Sequence, residues 1–267
     1  MESTDIVICT IAKNETLYIR DFCEYHINLG FDKIYIYEDN DVPEIAHLVD
    51  GLPNVIVQPC NYTSNQAQLE VYNDFLKHVM FSWCAFIDVD EYITLQKYET
   101  IHEFINSFDT SIDVIRLPEE VFGDGGNIHP DDISVPVYQR ILYPASNTGT
   151  ILCKNIVKYN QRMYMSNPHS VDSFGTYMKC SFPNGQITDA NRVIYFRDAL
   201  DKNYSWIRHY MTKTTEEFCI QKLGRPRILH KNELLSEKYY FHINKRTPEK
   251  EEYIRNFIMH QGAGVGI

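Results

Sequence analysis

Apolar residues in the first hundred positions come as short runs that alternate with amphipathic stretches. Asp5 to Ile11 is a run with the character of a buried strand, and Thr16 to Leu29 follows with Leu17, Ile19, Phe22, Cys23, His26, Ile27 and Leu29 at roughly helical spacing. Gly30 ends that helix. Lys33 to Tyr37 predicts a second strand, Val42 to Val49 a short helix and Asn54 to Gln58 a third strand. Ser64 opens another helical stretch to about Met80, with Leu69, Tyr72, Phe75, Leu76 and Val79 on one face. It leads into the apolar run Trp83 to Ile87. Such alternation predicts an α/β fold on a mostly parallel sheet flanked by helices.

The pattern changes beyond Asp113. Asp113 to Leu117 predicts a strand, and Glu119 to Asp132 a Gly-, Asp- and Pro-rich loop of the length that functional loops have. Val135 to Tyr143, Ile151 to Tyr159 and Val193 to Phe196 predict strands of a mixed or antiparallel extension. Thr215 to Leu223 and Pro248 to Met259 predict C-terminal helices, and Gly262 to Ile267 is a Gly-rich tail. A single domain is expected over 1–267.

Composition narrows the function classes. Lys and Arg number 25 against 36 Asp and Glu, a net charge of -11, which argues against a partner bound through nucleic-acid phosphates. A local basic stretch remains in Arg208, Lys213, Lys222, Arg225, Arg227 and Lys231, suited to a phosphorylated ligand. The seven cysteines are odd in number and scattered, so reduced core thiols are expected rather than a disulfide frame or zinc site. No leader peptide is read at the N-terminus, and no apolar run approaches the roughly 20 residues that span a bilayer. The expected location is cytoplasmic, with the sequons at Asn14, Asn61 and Asn203 silent.

Ligands of open α/β sheets bind outside the carboxyl ends of the strands. Polar clusters stand at three of those ends: Lys13, Asn14 and Glu15; Glu38 to Asp41; and Asp88, Asp90 and Glu91. Side chains alternate along a strand, so Asp88 and Asp90 are expected to point the same way from the end of a buried segment. Two carboxylates that close call for a cation, and Mg2+ or Mn2+ suits carboxylate oxygens. A plain N-cap role for either aspartate is the alternative.

Taken together, Ala12 to Glu15 with Tyr25-His26, Tyr35 to Asn40, Gln66 and Gln68, Ala85 to Tyr92, Phe122-Gly123, Lys154, Pro168-His169 and Arg208 to Thr214 with Glu217-Phe218 form an ordered set. The set resembles the family-2-like glycosyltransferases of GT-A fold, in particular the bacterial branch related to family 92. The resemblance runs from about Asp5 to Arg225. It implies a nucleotide-sugar-binding half at 1–110, an acceptor-side half at 111–225 and a helical extension at 226–267.

The resemblance further implies sugar transfer from a nucleotide-activated donor, UDP-linked, to a glycan or lipid-linked acceptor in surface polysaccharide synthesis, with inversion and with possible peripheral membrane contact. Asp88 and Asp90 match the metal-binding DxD, Asp90 as the direct ligand of Mn2+ or Mg2+ and Asp88 closer to the donor ribose or sugar. Ala12, Asn14, Glu15, Asp39 and Gln66 match the nucleoside pocket. His209 lies in a match to a His-Tyr-x-x-Lys-Ser signature that ends here in Thr214; it or His169 completes the metal shell or touches the diphosphate, and Lys213 gives a point charge to phosphate oxygens. Asp124 and Glu120 are the candidates for the general base, with solvated loop charges as the alternative. Where relatives read Arg-Gly after the position of Lys222, this chain has Leu223-Gly224-Arg225-Pro226, so Arg225 is given no role.

Two other classes fit parts of the pattern. A nucleotidyltransferase also sets an acidic pair and a metal on an α/β sheet, but residues 9–16 hold no Gly for a phosphate loop. A non-catalytic glycan- or nucleotide-binding module would use the 19 Tyr and 14 Phe for stacking.

Overall fold

The computed structural model describes residues 4–64, 66–145, 150–189, 192, 194–196, 200–224 and 235–262. They form two compact units, one from residues 1–120 and 149–208 and the other from 121–148 and 209–267.

In the first unit the alternation read from the sequence becomes β1 (Ile6–Ala12), α1 (Ile19–Asn28), β2 (Lys33–Glu38), α2 (Ile45–Leu48), β3 (Val55–Pro59), α3 (Ala67–His78) and β4 (Trp83–Phe86). Strands β4, β1, β2 and β3 lie side by side and parallel, because each is reached through a helical crossover. Then come β5 (Glu91–Thr94), α4 (Ile101–Asn106) and β6 (Val114–Val121). Strand β7 (Thr150–Lys158) inserts antiparallel between β4 and β6 and makes the sheet mixed. The hairpin of β8 (Met163–Asn167) and β9 (Ser170–Ser173) packs against α3 through Met163, Met165 and Val171. Short strands β10 (Cys180–Ser181), β11 (Ile187–Thr188), β12 (Ile194–Phe196) and β13 (Trp206–His209) complete eleven sheet strands among the described residues. This is the expected α/β architecture, a parallel block of β4, β1, β2 and β3 with a mixed extension.

The second unit holds α5 (Val137–Arg140), α6 (Thr215–Gln221), α7 (Glu237–Ile243) and α8 (Pro248–Gly262). Its core is Phe218, Cys219, Tyr240 and Ile254, from α6, α7 and α8. A capping box starts α6: the Thr214 hydroxyl accepts from the Glu217 N–H, and the Glu217 carboxylate accepts from the Thr214 N–H at 2.8 Å.

Three expectations are corrected. Val135 to Tyr143 is not a strand; Val137 and Ile141 are both buried, four residues apart, and the Ile141 N–H donates to the Val137 carbonyl at 3.0 Å, which closes a helical turn after Pro136. Glu119 to Val121 belong to β6, so the loop that follows is shorter than its composition suggested. Asp88 and Asp90 do not continue a strand, because β4 stops at Phe86 and the chain reverses at once. The basic residues Arg225, Arg227 and Lys231 and the tail after Gly262 lie outside the described residues. All seven cysteines are free thiols, six of them buried.

Candidate functional site

The reversal after β4 is a tight turn. The Glu91 N–H donates to the Asp88 carbonyl at 3.0 Å, and the Asp88 N–H donates to the Glu91 carboxylate at 2.9 Å. The turn treats its two aspartates differently: the Asp88 side chain is 32% exposed, whereas Asp90 is buried. Pairing of Phe86 with Asn155 sets Lys154 just past the end of β4. From there its ammonium, 1% exposed, meets Asp88 at 2.8 Å and Glu91 at 3.4 Å. On α3, Gln68 donates to the other Asp88 oxygen and, at 3.0 Å, to the Tyr72 hydroxyl.

One buried ammonium therefore serves several acids. Burial pushes the Glu91 carboxyl well above the usual range; Lys154 opposes this, while Asp88, Glu119 and Asp90 add to it. Burial likewise works against the Lys154 ammonium, but Asp88 and Glu91 outweigh it and hold its pKa well above the lysine value. Asp90 and Glu91 offer carboxylate oxygens within 4.8 Å of one another. Excess negative charge and oxygen donors are what a hard divalent cation requires, so these residues fit one.

At the ends of β1 and β2 the predicted nucleoside residues fall together. The Asp39 N–H donates to the Ala12 carbonyl at 2.8 Å, and Asp39 pairs with Lys13 at 3.0 Å. Asn14 has a φ of 56°, a left-handed conformation Asn tolerates, and its N–H donates to the Asn40 side chain at 2.8 Å. Glu15 is buried beside them along the chain. Gln66 is the N-cap of α3.

Glu120, buried at the end of β6, pairs with Lys202 at 2.8 Å. In the second unit Asp124 is enclosed: its carboxylate accepts from Lys250, from the Tyr240 hydroxyl and, at 2.8 Å, from the Gly126 N–H. Lys213 is buried there too, with its ammonium 3.1 Å from the Gln221 side-chain oxygen. His209 is buried at the end of β13, and its carbonyl accepts from the Phe122 N–H at 2.8 Å. A pocket of ≈ 380 Å³ in the first unit, lined by Tyr98, Asp109, Lys179, Asn184 and Tyr204 among others, carries none of the candidates.

Glu91, Lys154, Gln68 and Glu119 are functional neighbours that sequence reasoning gave no role. A lysine inside the apolar run Ile151 to Tyr159 was the readable signal, since an ammonium so placed needs a buried acid. Gln68 and Tyr72 share a helix face by their i, i+4 spacing.

The sequence profile of Glycosyltransferase family 92 matches residues 5–256, beyond the expected limit near Arg225 and into α8. A glycosyltransferase family 92 protein of Ricinus communis is 22% identical over 156 residues, 55% of this chain and 28% of that protein. One from Oryza sativa subsp. japonica is 22% identical over 125 residues, 45% of this chain and 21% of that one. The matched segments span about a quarter of the length of these curated relatives. Among solved structures, S. aureus TarS 1–349 in complex with UDP-GlcNAc aligns with a TM-score of 0.43 and 11% identity, covering 96% of this chain and 72% of that one. The same protein in complex with UDP aligns over 48% of this chain and 38% of that one, at 18% identity and a TM-score of 0.36.

Proposed function

Since the chain belongs to glycosyltransferase family 92, we propose that it moves a sugar from a UDP-linked nucleotide-sugar donor to a hydroxyl of a glycan or lipid-linked acceptor, with inversion, in the building of a surface polysaccharide. The observation that supports this reading most is the buried turn Asp88 to Glu91, with its excess of carboxylates around Lys154. Asp90 holds Mn2+ or Mg2+, and Asp88 sits nearer the ribose or sugar. His209, from the signature it matches, is proposed as a further ligand. When bound, such an ion stabilises as a Lewis acid the negative charge that gathers on the departing diphosphate.

The chain's own residues do the rest. Lys154 and Gln68 fix the Asp88 carboxylate, so that it meets the donor without reorganising. Ala12, Asn14, Glu15, Asp39 and Gln66 receive the nucleoside, with carboxylates accepting from base or ribose donors. Lys213 brings positive charge to the phosphates. Of the two acids named for proton removal, Glu120 carries Lys202, and Asp124 carries Lys250 and Tyr240.

Calorimetry with UDP, with and without Mn2+, and a donor-hydrolysis assay over a panel of nucleotide sugars test the reading. Mn2+ is expected to tighten nucleotide binding, and Asp90→Asn to abolish that enhancement and lower turnover about 100-fold or more. A wild type that binds no nucleoside diphosphate at millimolar metal and hydrolyses no nucleotide sugar sinks it.

A further inference from the structure

Inverting transfer needs a group to take the proton of the attacking hydroxyl, and the geometry points to His169, with Glu119 beside it, as that proton acceptor; this rests on the glycosyltransferase reading above. His169 lies in the turn between β8 and β9, and its main chain is held on both sides. Its N–H donates to the Asn167 side chain at 2.7 Å, and its carbonyl accepts from Arg116 at 2.8 Å. The ring is placed as well: Nδ1 hydrogen-bonds the Cys153 carbonyl at 3.3 Å, and a Glu119 carboxylate oxygen lies 3.1 Å from it at ion-pair distance without hydrogen-bond geometry.

Both of those neighbours are acceptors, so Nδ1 carries the hydrogen and Nε2 keeps the lone pair. Among the described residues nothing hydrogen-bonds Nε2. Glu119 is buried, while the His169 side chain retains 12% exposure. The Cys153 carbonyl holds the tautomer, and the buried Glu119 carboxylate beside the ring stabilises by its charge the imidazolium that forms, the roles general-base histidines rely on. The pair also lies within electrostatic reach of the acid cluster, since Glu119 raises the pKa of both Glu91 and Lys154.

A metal ligand would be the other use of such a ring. Among the described residues, however, His169 does not join two other acids, cysteines or histidines within 4.8 Å. In the step itself, the acceptor oxygen attacks the anomeric carbon and the bond from that carbon to the diphosphate oxygen breaks. The bonding pair leaves with the diphosphate, and the hydroxyl proton passes to His169 Nε2.

The charged and titratable groups around the ring are Glu119 and Arg116 on β6 and Cys153 on β7, with Lys154 and Glu91 reached through Glu119. A neutral base loses activity in acid as it protonates. His169→Asn is therefore expected to lower transfer roughly 100- to 10,000-fold and to erase the acid limb of its pH profile, with UDP and Mn2+ affinities unchanged. Glu119→Gln, which leaves the ring in place, is expected to lower turnover about 10- to 100-fold with UDP and Mn2+ affinities unchanged. An acid limb that survives His169→Asn, turnover unchanged by Glu119→Gln, or a loss of Mn2+ affinity in His169→Asn overturns the assignment. In each of those cases wild-type transfer still stands; a wild type inert toward every nucleotide sugar overturns both readings.

Discussion

Lys154 is the cation that both Asp88 and Glu91 meet, and replacing it takes that charge from both. Lys154→Met is expected to destabilise the protein by about 3–5 kcal/mol in urea unfolding at neutral pH, the cost of stranding a buried partner. His26 supplies a pH signature. Burial, partly opposed by the Phe22 carbonyl and helped by Arg208, lowers its pKa from 6.5 to about 3, so the folded protein keeps a neutral ring. The unfolded chain takes up that proton more readily, so this stabilisation is complete above 6.5 and drains away as the pH falls toward 3. Urea midpoints measured between pH 7 and pH 4 should fall steeply for the wild type and less for His26→Leu. At this scale the sequence told which acids cluster, since Asp88 and Asp90 stand out, but not how they divide. The division depends on Lys154, 66 residues beyond Asp88 and brought over by strand pairing.

Periodicity carried furthest where one face is buried over several turns or residues. Strands β1 to β4 and helices α1 and α3 stand within a few residues of their expected limits. It failed where burial was brief: α5 has a single turn, and β10 and β11 have two residues each, too few for either period to register. Helix α6 was readable from Thr214 and Glu217, whose spacing is that of a capping box. Thr214→Ala should cost about 1 kcal/mol by thermal melting. Glu217→Ala should cost more, because the same carboxylate also binds Arg140 of α5 at 2.9 Å, with both side chains buried. Gly123 adds a steric test: a Cβ there would stand 2.4 Å from the Asn244 side-chain oxygen that accepts the Asp124 N–H. Gly123→Ala is expected to lower the melting temperature, at a cost of about 1–3 kcal/mol.

Across the whole chain, the α/β class followed from the alternation of elements, and the family from an ordered set of motifs. The partition into units did not follow from either, because one unit combines 121–148 with 209–267 and no composition break marks such a pairing. Among the described residues no helix is long and apolar enough to cross a membrane. The second unit's internal ties run across more than a hundred positions, from Asp124 to Tyr240 and Lys250.

That long tie bears on synthesis. A nascent chain makes Asp124 126 residues before Lys250, the ammonium that meets it. Until then that carboxylate lacks its buried cation, so this part of the protein closes only once position 250 has left the ribosome, and a chain cut short before it lacks the tie.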